Sequence, residues 1–182
     1  MVELIVCVTG LPGSGKSEVA RALKELGFHS INMGDVVRRF AKESGAPLDD
    51  ESLAGFARRL REEMGPAAVA KLCIDRIPSD ARLLVVDGLR SMDEFNEFEK
   101  ISKAKILAVH ASRERRFHLL KLRGREDDPK GWEEFIERDE RELGYGIAEV
   151  IALADEVIPN NALTLEELRK RAKEVVEGWM RG

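Results

Sequence analysis

The sequence predicts an α/β fold in which five parallel strands form a central sheet with helices on both faces. Three observations carry this expectation. Short apolar runs alternate with amphipathic helical patterns along the chain, the order that builds parallel sheets. The run at 83–86 is apolar at every position, as a strand covered on both faces must be. The first run, 4–8, leads into Gly10-Leu11-Pro12-Gly13-Ser14-Gly15-Lys16-Ser17, a glycine-rich turn with the phosphate-loop pattern of a strand-to-helix junction.

Residues 4–8 read as the first strand and 16–26 as the first helix, ended by Gly27. A second strand is expected at 28–31, then a helix at 36–43 that stops at Ser44-Gly45-Ala46-Pro47. Two helices follow at about 51–63 and 66–76, with Pro66 suited to the first helical position after Gly65. After the strand at 83–86 come a helix at 92–101 and a strand at 105–110, and Ser112 is placed to cap a helix running to Leu122. Residues 124–131 are polar and include Pro129. A helix at 132–143 ends at the joint Gly144-Tyr145-Gly146, and a last strand at 156–158 precedes the closing helix at 165–180. No repeat or long linker divides the chain, so residues 1–182 read as a single domain.

A formal charge of −4 argues against nucleic acid as the main partner, while leaving room for a local basic cleft. Neither Cys7 nor Cys73 belongs to a C-x-x-C pair and the three histidines lie far apart, which argues against a structural metal or a disulfide framework. Cys7, inside the first strand, reads as a small buried apolar residue. The first apolar run is too short for a signal peptide or a membrane span, so a cytoplasmic protein without a membrane partner is expected. Charged residues make up 35% of the chain and glutamine is absent, a balance that suits high temperature. Trp132, Trp179, Phe117 and Phe135 fall at helical spacing and read as packing.

The phosphate loop names a chemistry. Its glycines let the backbone curl so that successive amides face phosphate oxygens, and the helix that follows adds the positive end of its dipole. Gly10, Pro12, Gly13, Ser14 and Gly15 would form the cradle, Lys16 would supply a mobile cation for the β- and γ-phosphates, and the Ser17 hydroxyl would ligate Mg²⁺. The reading is that a nucleoside triphosphate binds here. A GTPase would need an Asn-Lys-x-Asp segment, which is absent, and a transporter ATPase would need a larger domain.

Later segments narrow the class. Ile31-Asn32-Met33-Gly34-Asp35-Val36-Val37-Arg38 resembles the acceptor-binding segment of adenylate kinase and dephospho-CoA kinase. Val85-Val86-Asp87-Gly88-Leu89-Arg90 resembles the Asp-Gly-x-x-Arg stretch of those enzymes, one residue shorter before the arginine. Lys121-Leu122-Arg123-Gly124-Arg125 resembles their arginine-bearing lid, Arg138-Asp139 a pair that follows it, and the segment from Ala154 to Asn161 the stretch that backs adenine. In order and spacing, nearly the whole chain is similar to the P-loop nucleotide kinase family, above all to archaeal adenylate-kinase-related proteins. The resemblance implies a P-loop NTPase three-layer sandwich with strand order 2-3-1-4-5, ATP as donor, Mg²⁺, acceptor-binding helices at about 34–76 and a short lid at about 123–132.

The residues take roles on that frame. Asp87 would hold a water of the Mg²⁺ shell from the tip of its strand. Arg38 and Arg90, with Arg39 a weaker candidate, would fork onto an acceptor phosphate. Arg123 and Arg125 would swing in to neutralise the transferring phosphoryl group. Arg138 and Arg141 are either part of that set or surface partners of Glu134 and Glu137, four residues before them. Asp35 has two readings: a base for a hydroxyl acceptor, or the cap of the helix beginning at Val36. Met33 departs from the small polar residue that nucleotide-monophosphate kinases often carry there. Asn160 and Asn161 would border adenine through backbone groups or form a turn after the strand.

The expected activity is transfer of the ATP γ-phosphoryl group to a nucleoside monophosphate or similar small phosphorylated acceptor, by a monomer or homodimer. Two alternatives stand beside it: dephospho-CoA-kinase-like phosphorylation of a ribose hydroxyl, and a nucleotide-dependent regulatory ATPase whose product is a conformation.

Overall fold

The computed structural model describes residues 2–125 and 128–181. Its sheet has the order β2-β3-β1-β4-β5, formed by β2 (His29–Asn32), β3 (Leu83–Leu89), β1 (Leu4–Thr9), β4 (Ala104–His110) and β5 (Glu156–Pro159), every pairing parallel. This is the predicted order. Around it lie α1 (Lys16–Lys24), α2 (Met33–Glu43), α3 (Asp50–Met64), α4 (Ala68–Ile74), α5 (Met92–Glu99), α6 (Arg113–Arg123), α7 (Trp132–Gly144), α8 (Ile147–Ala152) and α9 (Leu165–Arg181).

The two-residue period of the strands sorts the core into two layers. Ile5 and Cys7 of β1, with Leu84 and Val86 of β3, face Val37 of α2, Val69 of α4 and Phe98 of α5. Val6 and Val8, with Val85 and Leu107, face Val19 and Leu23 of α1 and Leu168 and Val176 of α9. Cys7 and Cys73 are free thiols buried in the first layer, and burial raises both: Cys73 to about 12, Cys7 higher still. Trp179 packs against the second layer, and Phe117, Trp132 and Phe135 form a cluster with ring centroids 5.2–5.4 Å apart. Among the described residues, no helix is long and apolar enough to cross a membrane.

Several boundaries differ from the expectation for local reasons. Asp35 does not cap α2. The helix starts earlier, at Met33, because the Asn32 side chain caps it by accepting the Asp35 amide at 2.9 Å. Met33 is fully buried in the core. Pro66 is not the first helical residue, since Gly65 and Ala68 close a turn and α4 begins at Ala68. The joint at residues 144–146 is followed by the unpredicted helix α8, which Gly146 opens at φ +98°.

The third strand runs three residues past its predicted end. Asp87 is therefore inside β3 and not at its tip: it pairs with Val8, the register then slips, and Leu89 pairs with Thr9. Gly88 makes the slip at φ +103°, and the Thr9 hydroxyl donates to the Leu89 carbonyl at 2.8 Å to close it. Asp87 precedes this bulge and Arg90 follows it, and the two line different cavities. A β-carbon at Gly88 would have space, its nearest neighbours lying at 3.8 and 3.9 Å, so Gly88→Ala should cost backbone strain alone. The expected loss is about 1–2 kcal/mol, read as a fall of roughly 2–8 °C in Tm.

Candidate active site

The phosphate loop is shaped by what packs outside it. Gly10, Gly13 and Gly15 all have positive φ, at +142°, +81° and +104°. A β-carbon on Gly13 would lie 2.5 Å from the Arg116 carbonyl, and one on Gly15 would lie 2.7 Å from the Asn160 side chain. One on Gly10 would strike the Val109 carbonyl. The loop is held at two of its carbonyls. Arg116 donates to Pro12 at 3.1 Å, and Asn160 Nδ2 donates to Ser14 at 2.8 Å. Asn160 thus lines the donor side with a buried side chain engaged to the loop, beyond the backbone role read from sequence. Asn161 instead accepts the Ser112 amide at 2.7 Å, tying the end of β5 to the start of α6. At the start of α1 the first amides have no intrahelical acceptor and are left for an anion.

Arg116 is buried, and each of its three side-chain nitrogens donates a hydrogen bond. It donates to both Asp139 oxygens, at 2.7 and 2.5 Å, to the Ala111 carbonyl at 3.1 Å, and to Pro12, with its guanidinium 4.9 Å from the centre of the Phe135 ring. Asp139 is equally buried. Sequence reasoning did not find Arg116: its partner is 23 residues away, and no local spacing links them.

Beside the loop, the Ser17 hydroxyl donates to Asp87 Oδ2 at 3.0 Å, and Asn32 Nδ2 donates to the same oxygen at 2.8 Å. The other oxygen, Oδ1, is buried and without a partner. A buried carboxylate oxygen left open fits a hydrated cation. No cluster of three or more His, Cys, Asp or Glu is assembled among the described residues, so a Mg²⁺ ion at Ser17 and Asp87 would take most of its ligands from water and phosphate, as this ion does. Asn32, missed as a site residue, joins Asp87 to the start of α2 through its two ends. Burial pulls the Lys16 ammonium down to about 8, against the opposing pull of Asp87 and Glu142.

Two basins flank this centre. The first, of about 620 Å³, is lined by Gly13, Gly15, Lys16 and Asn160, with apolar walls from Leu122 and Leu165. Both leucines are exposed. Arg123 and Arg125 reach it as well. Arg123 is held by the buried Asp128 through both carboxylate oxygens, Nε at 2.9 Å, so it is fastened within the lid rather than swinging. Arg125 also lines a separate, intervening cavity of about 450 Å³, which shares Ser17 with this basin and Arg38 with the next and is further lined by Asn32, Asp35 and Asp87. Residues 126 and 127 of the predicted lid lie outside the described residues.

The second basin is an arginine-lined cavity of about 80 Å³ between α2, α3 and α7. Arg38, Arg61, Arg90, Arg138 and Arg141 all line it. Arg90 is already engaged, donating Nε to Glu142 at 2.6 Å and a second nitrogen to the Gly88 carbonyl at 3.2 Å. Burial pushes the Glu142 carboxyl up, but Arg90, together with Lys16 and Arg138, holds it below the usual range. Arg61 pairs with the fully buried Glu94 at 2.7 Å, and Glu94 also accepts the Arg90 amide at 3.0 Å. Arg138 and Arg141 reach Asp50, at the start of α3, rather than running along their own helix. Asp35 is exposed and paired with Arg38, whereas Arg39 pairs with Glu43 on the outer surface. Asp50, Arg61, Glu94 and Glu142 carried no sequence signal, because each is joined to its partner across elements.

A family model for an AAA domain matches residues 6–143. A UPF0200 protein of Pyrococcus horikoshii is 43% identical over 95% of this chain and 96% of its own length. One from Hyperthermus butylicus is 46% identical over 96% and 94%. Among solved structures, TT1252 from Thermus thermophilus aligns with a TM-score of 0.66 at 21% identity, over 98% of both chains. Shikimate kinase from Acinetobacter baumannii, in complex with shikimate, aligns at 0.59 and 16% over 100% of this chain and 94% of that one. At such identities the structures establish the shared P-loop kinase-type fold.

The Arg116–Asp139 pair gives a direct test. Arg116→Met leaves Asp139 charged and buried with only the half-exposed Arg113 at 3.7 Å, and should cost about 3–5 kcal/mol in urea unfolding. The double variant Arg116→Met/Asp139→Leu should recover most of that loss. Single and double variants of equal stability would mean that the pairing is not what matters.

Proposed function

Because this chain belongs to the UPF0200 family and carries its phosphate loop on a P-loop kinase-type fold, we propose that it is an ATP-dependent phosphotransferase acting on a small phosphorylated acceptor. One observation carries this reading: Ser17 lines a donor-sized basin with leucine walls and, with Asp87, an adjoining cavity whose Arg38 also lines the arginine cavity. A switch ATPase has no use for the arginine cavity. ATP would bind over Gly10, Pro12, Gly13, Ser14, Gly15, Lys16 and Ser17, its base against Leu122 and Leu165 near Asn160. The acceptor's anion would meet the arginine cavity, through Arg38 and Arg90 and through Arg138 and Arg141 of α7.

The acceptor oxygen forms a bond to the γ-phosphorus as the bond to the bridging oxygen of ADP breaks, and ADP leaves with that electron pair. Lys16 and Arg125, with Arg123 fixed behind it, offset the charge spread over the phosphoryl oxygens. Mg²⁺ held at Ser17 and Asp87 would supply Lewis-acid neutralisation of the phosphate charge. A phosphomonoester acceptor is already an anionic nucleophile, so no base is required.

A second reading, closer to dephospho-CoA kinase, has one observation in its favour. Asn32 relieves Asp35 of capping, and its carboxylate lines the same cavity as Ser17 and Asp87, where it could take a proton from a hydroxyl acceptor. An acceptor screen with ATP and Mg²⁺, covering nucleoside monophosphates and dephospho-CoA, decides between them when Asp35→Asn is run alongside. Near-normal turnover in that variant supports the phosphate acceptor; a loss of 100-fold or more in kcat at unchanged KM supports the hydroxyl. ATP consumption that ignores every acceptor would overturn both readings, and Lys16→Ala should abolish product.

Lys16 also sets a pH dependence. Its ammonium titrates at about 8 in the free protein, and phosphate oxygens around it would raise that value on binding. Nucleotide affinity is then full below about pH 8 and falls above it, by up to about tenfold per pH unit. Calorimetric titration with ADP should show proton uptake above pH 8, and a Lys16→Arg variant that keeps the same pH dependence would refute the assignment.

A further inference from the structure

We infer that Asp50 is an internal anion occupying the acceptor's arginine site, and that an acceptor phosphate binds by displacing it and moving the first turn of α3 aside. This rests on the reading that the arginine cavity takes the acceptor's anionic group.

Asp50 is the first residue of α3, yet it does not cap the helix. Asp49 does, its side chain accepting the Ser52 amide at 2.9 Å. The Asp50 carboxylate instead crosses to α7, ion-paired with Arg141 and 3.7 Å from Arg138 Nε. That arrangement is one an incoming phosphate could take over: one guanidinium on one carboxylate oxygen and a second guanidinium beside the other.

Three features make the contact exchangeable. The α3 helix has no fully buried residue; Phe56, Ala57 and Leu60 rest against the core, and Arg61 near its far end pairs with Glu94 and stacks 4.6 Å from the centre of the Tyr145 ring. These anchors lie beyond the first turn, so the start of α3, with Asp50, is the part least held. The Asp50 and Arg141 side chains are 38% and 35% exposed, so water can replace either partner, whereas the Arg90–Glu142 and Arg61–Glu94 pairs of the same cavity are more enclosed. Of the two carboxylates that line this cavity, Asp50 is thus held more loosely than Glu142.

Volume and charge point the same way. The space left with Asp50 in place is about 80 Å³, room for a few waters or one tetrahedral anion, and too small for the rest of a nucleotide. A larger acceptor therefore requires the first turn of α3 to shift, and the Asp50 contact that resists this shift is the one that its phosphate replaces. Asp35, Glu94 and Glu142 pair with Arg38, Arg61 and Arg90, whereas Asp50 reaches both Arg138 and Arg141. A phosphate dianion exchanged for Asp50 offers these two guanidiniums two charges, which a monocarboxylate does not. The inferred substrate class is a phosphomonoester.

The test uses the full chain with its phosphate loop filled by saturating ADP and Mg²⁺, titrated calorimetrically with inorganic phosphate. Asp50→Asn keeps the Asp49 cap and should bind phosphate about fivefold to tenfold more tightly than the natural chain, the factor recovered when a closed state no longer competes. Arg138→Gln/Arg141→Gln should lose phosphate binding with or without the Asp50 change. If Asp50→Asn binds no more tightly while the arginine variant still loses phosphate, Asp50 is not the competitor and the acceptor site stands. If the arginine variant binds phosphate normally, the acceptor reading itself fails. Asp50→Ser carries the same expectation should the asparagine variant not accumulate.

Discussion

The buried guanidinium of Arg116 is the contact through which the phosphate loop, the lid helices and the end of the sheet share one geometry. A charge removed from water is tolerable only when every donor is satisfied and an opposite charge lies against it. Asp139 meets that requirement from α7, Ala111 from the end of β4, and Pro12 from the loop itself. The ion pair therefore binds three segments that are remote in sequence. Because guanidinium geometry is planar and unforgiving, the Pro12 carbonyl has one permitted position relative to α6 and α7. The loop is preorganised by the cost of leaving this group unsatisfied, and rotation of the lid helices would be felt at the turn that cradles phosphate.

On the other flank the logic is a chain of alternating charges. Arg61 leads from α3 to Glu94, Glu94 to the backbone of Arg90, and the side chain of Arg90 to Glu142 on α7. The members nearest the core are the most enclosed, and pairing loosens toward the mouth, where Asp50 meets Arg141. Rigidity thus falls off with distance from Asp87. The β3 bulge is what makes both flanks accessible from one strand, since Asp87 precedes the register slip and Arg90 follows it.

Much of this was readable from the chain because it is encoded locally. A glycine-rich turn after an apolar run, the uniformly apolar stretch at 83–86 and a serine before a helical pattern at Ser112 each specify their structure within a few residues, and the sheet order followed from resemblance. What escaped was non-local or two-sided. Asn32 was passed over for Asp35 because both types cap helices and only the observed helix start distinguishes them. Arg138 and Arg141 have glutamates at favourable spacing on their own helix, yet they turn to Asp50 about ninety residues away, which no periodicity reveals. Arg123 looked like a mobile lid arginine until Asp128 was found folded back on it. Charged residues are 35% of the chain, so almost any one of them has a plausible local partner and the true one is decided by tertiary packing.

The glycines of the loop carry a consequence for how such chains diverge. Gly10, Gly13 and Gly15 are required by Val109, Arg116 and Asn160, which press on the loop from the protein side and not from the ligand side. A descendant that ceased to turn over nucleotide would still need all three glycines to fold. Lys16 and Ser17 project from the start of α1 without any such packing duty. Drift at those two positions, with the glycines intact, would be the signature of a copy that has kept the architecture and abandoned the chemistry.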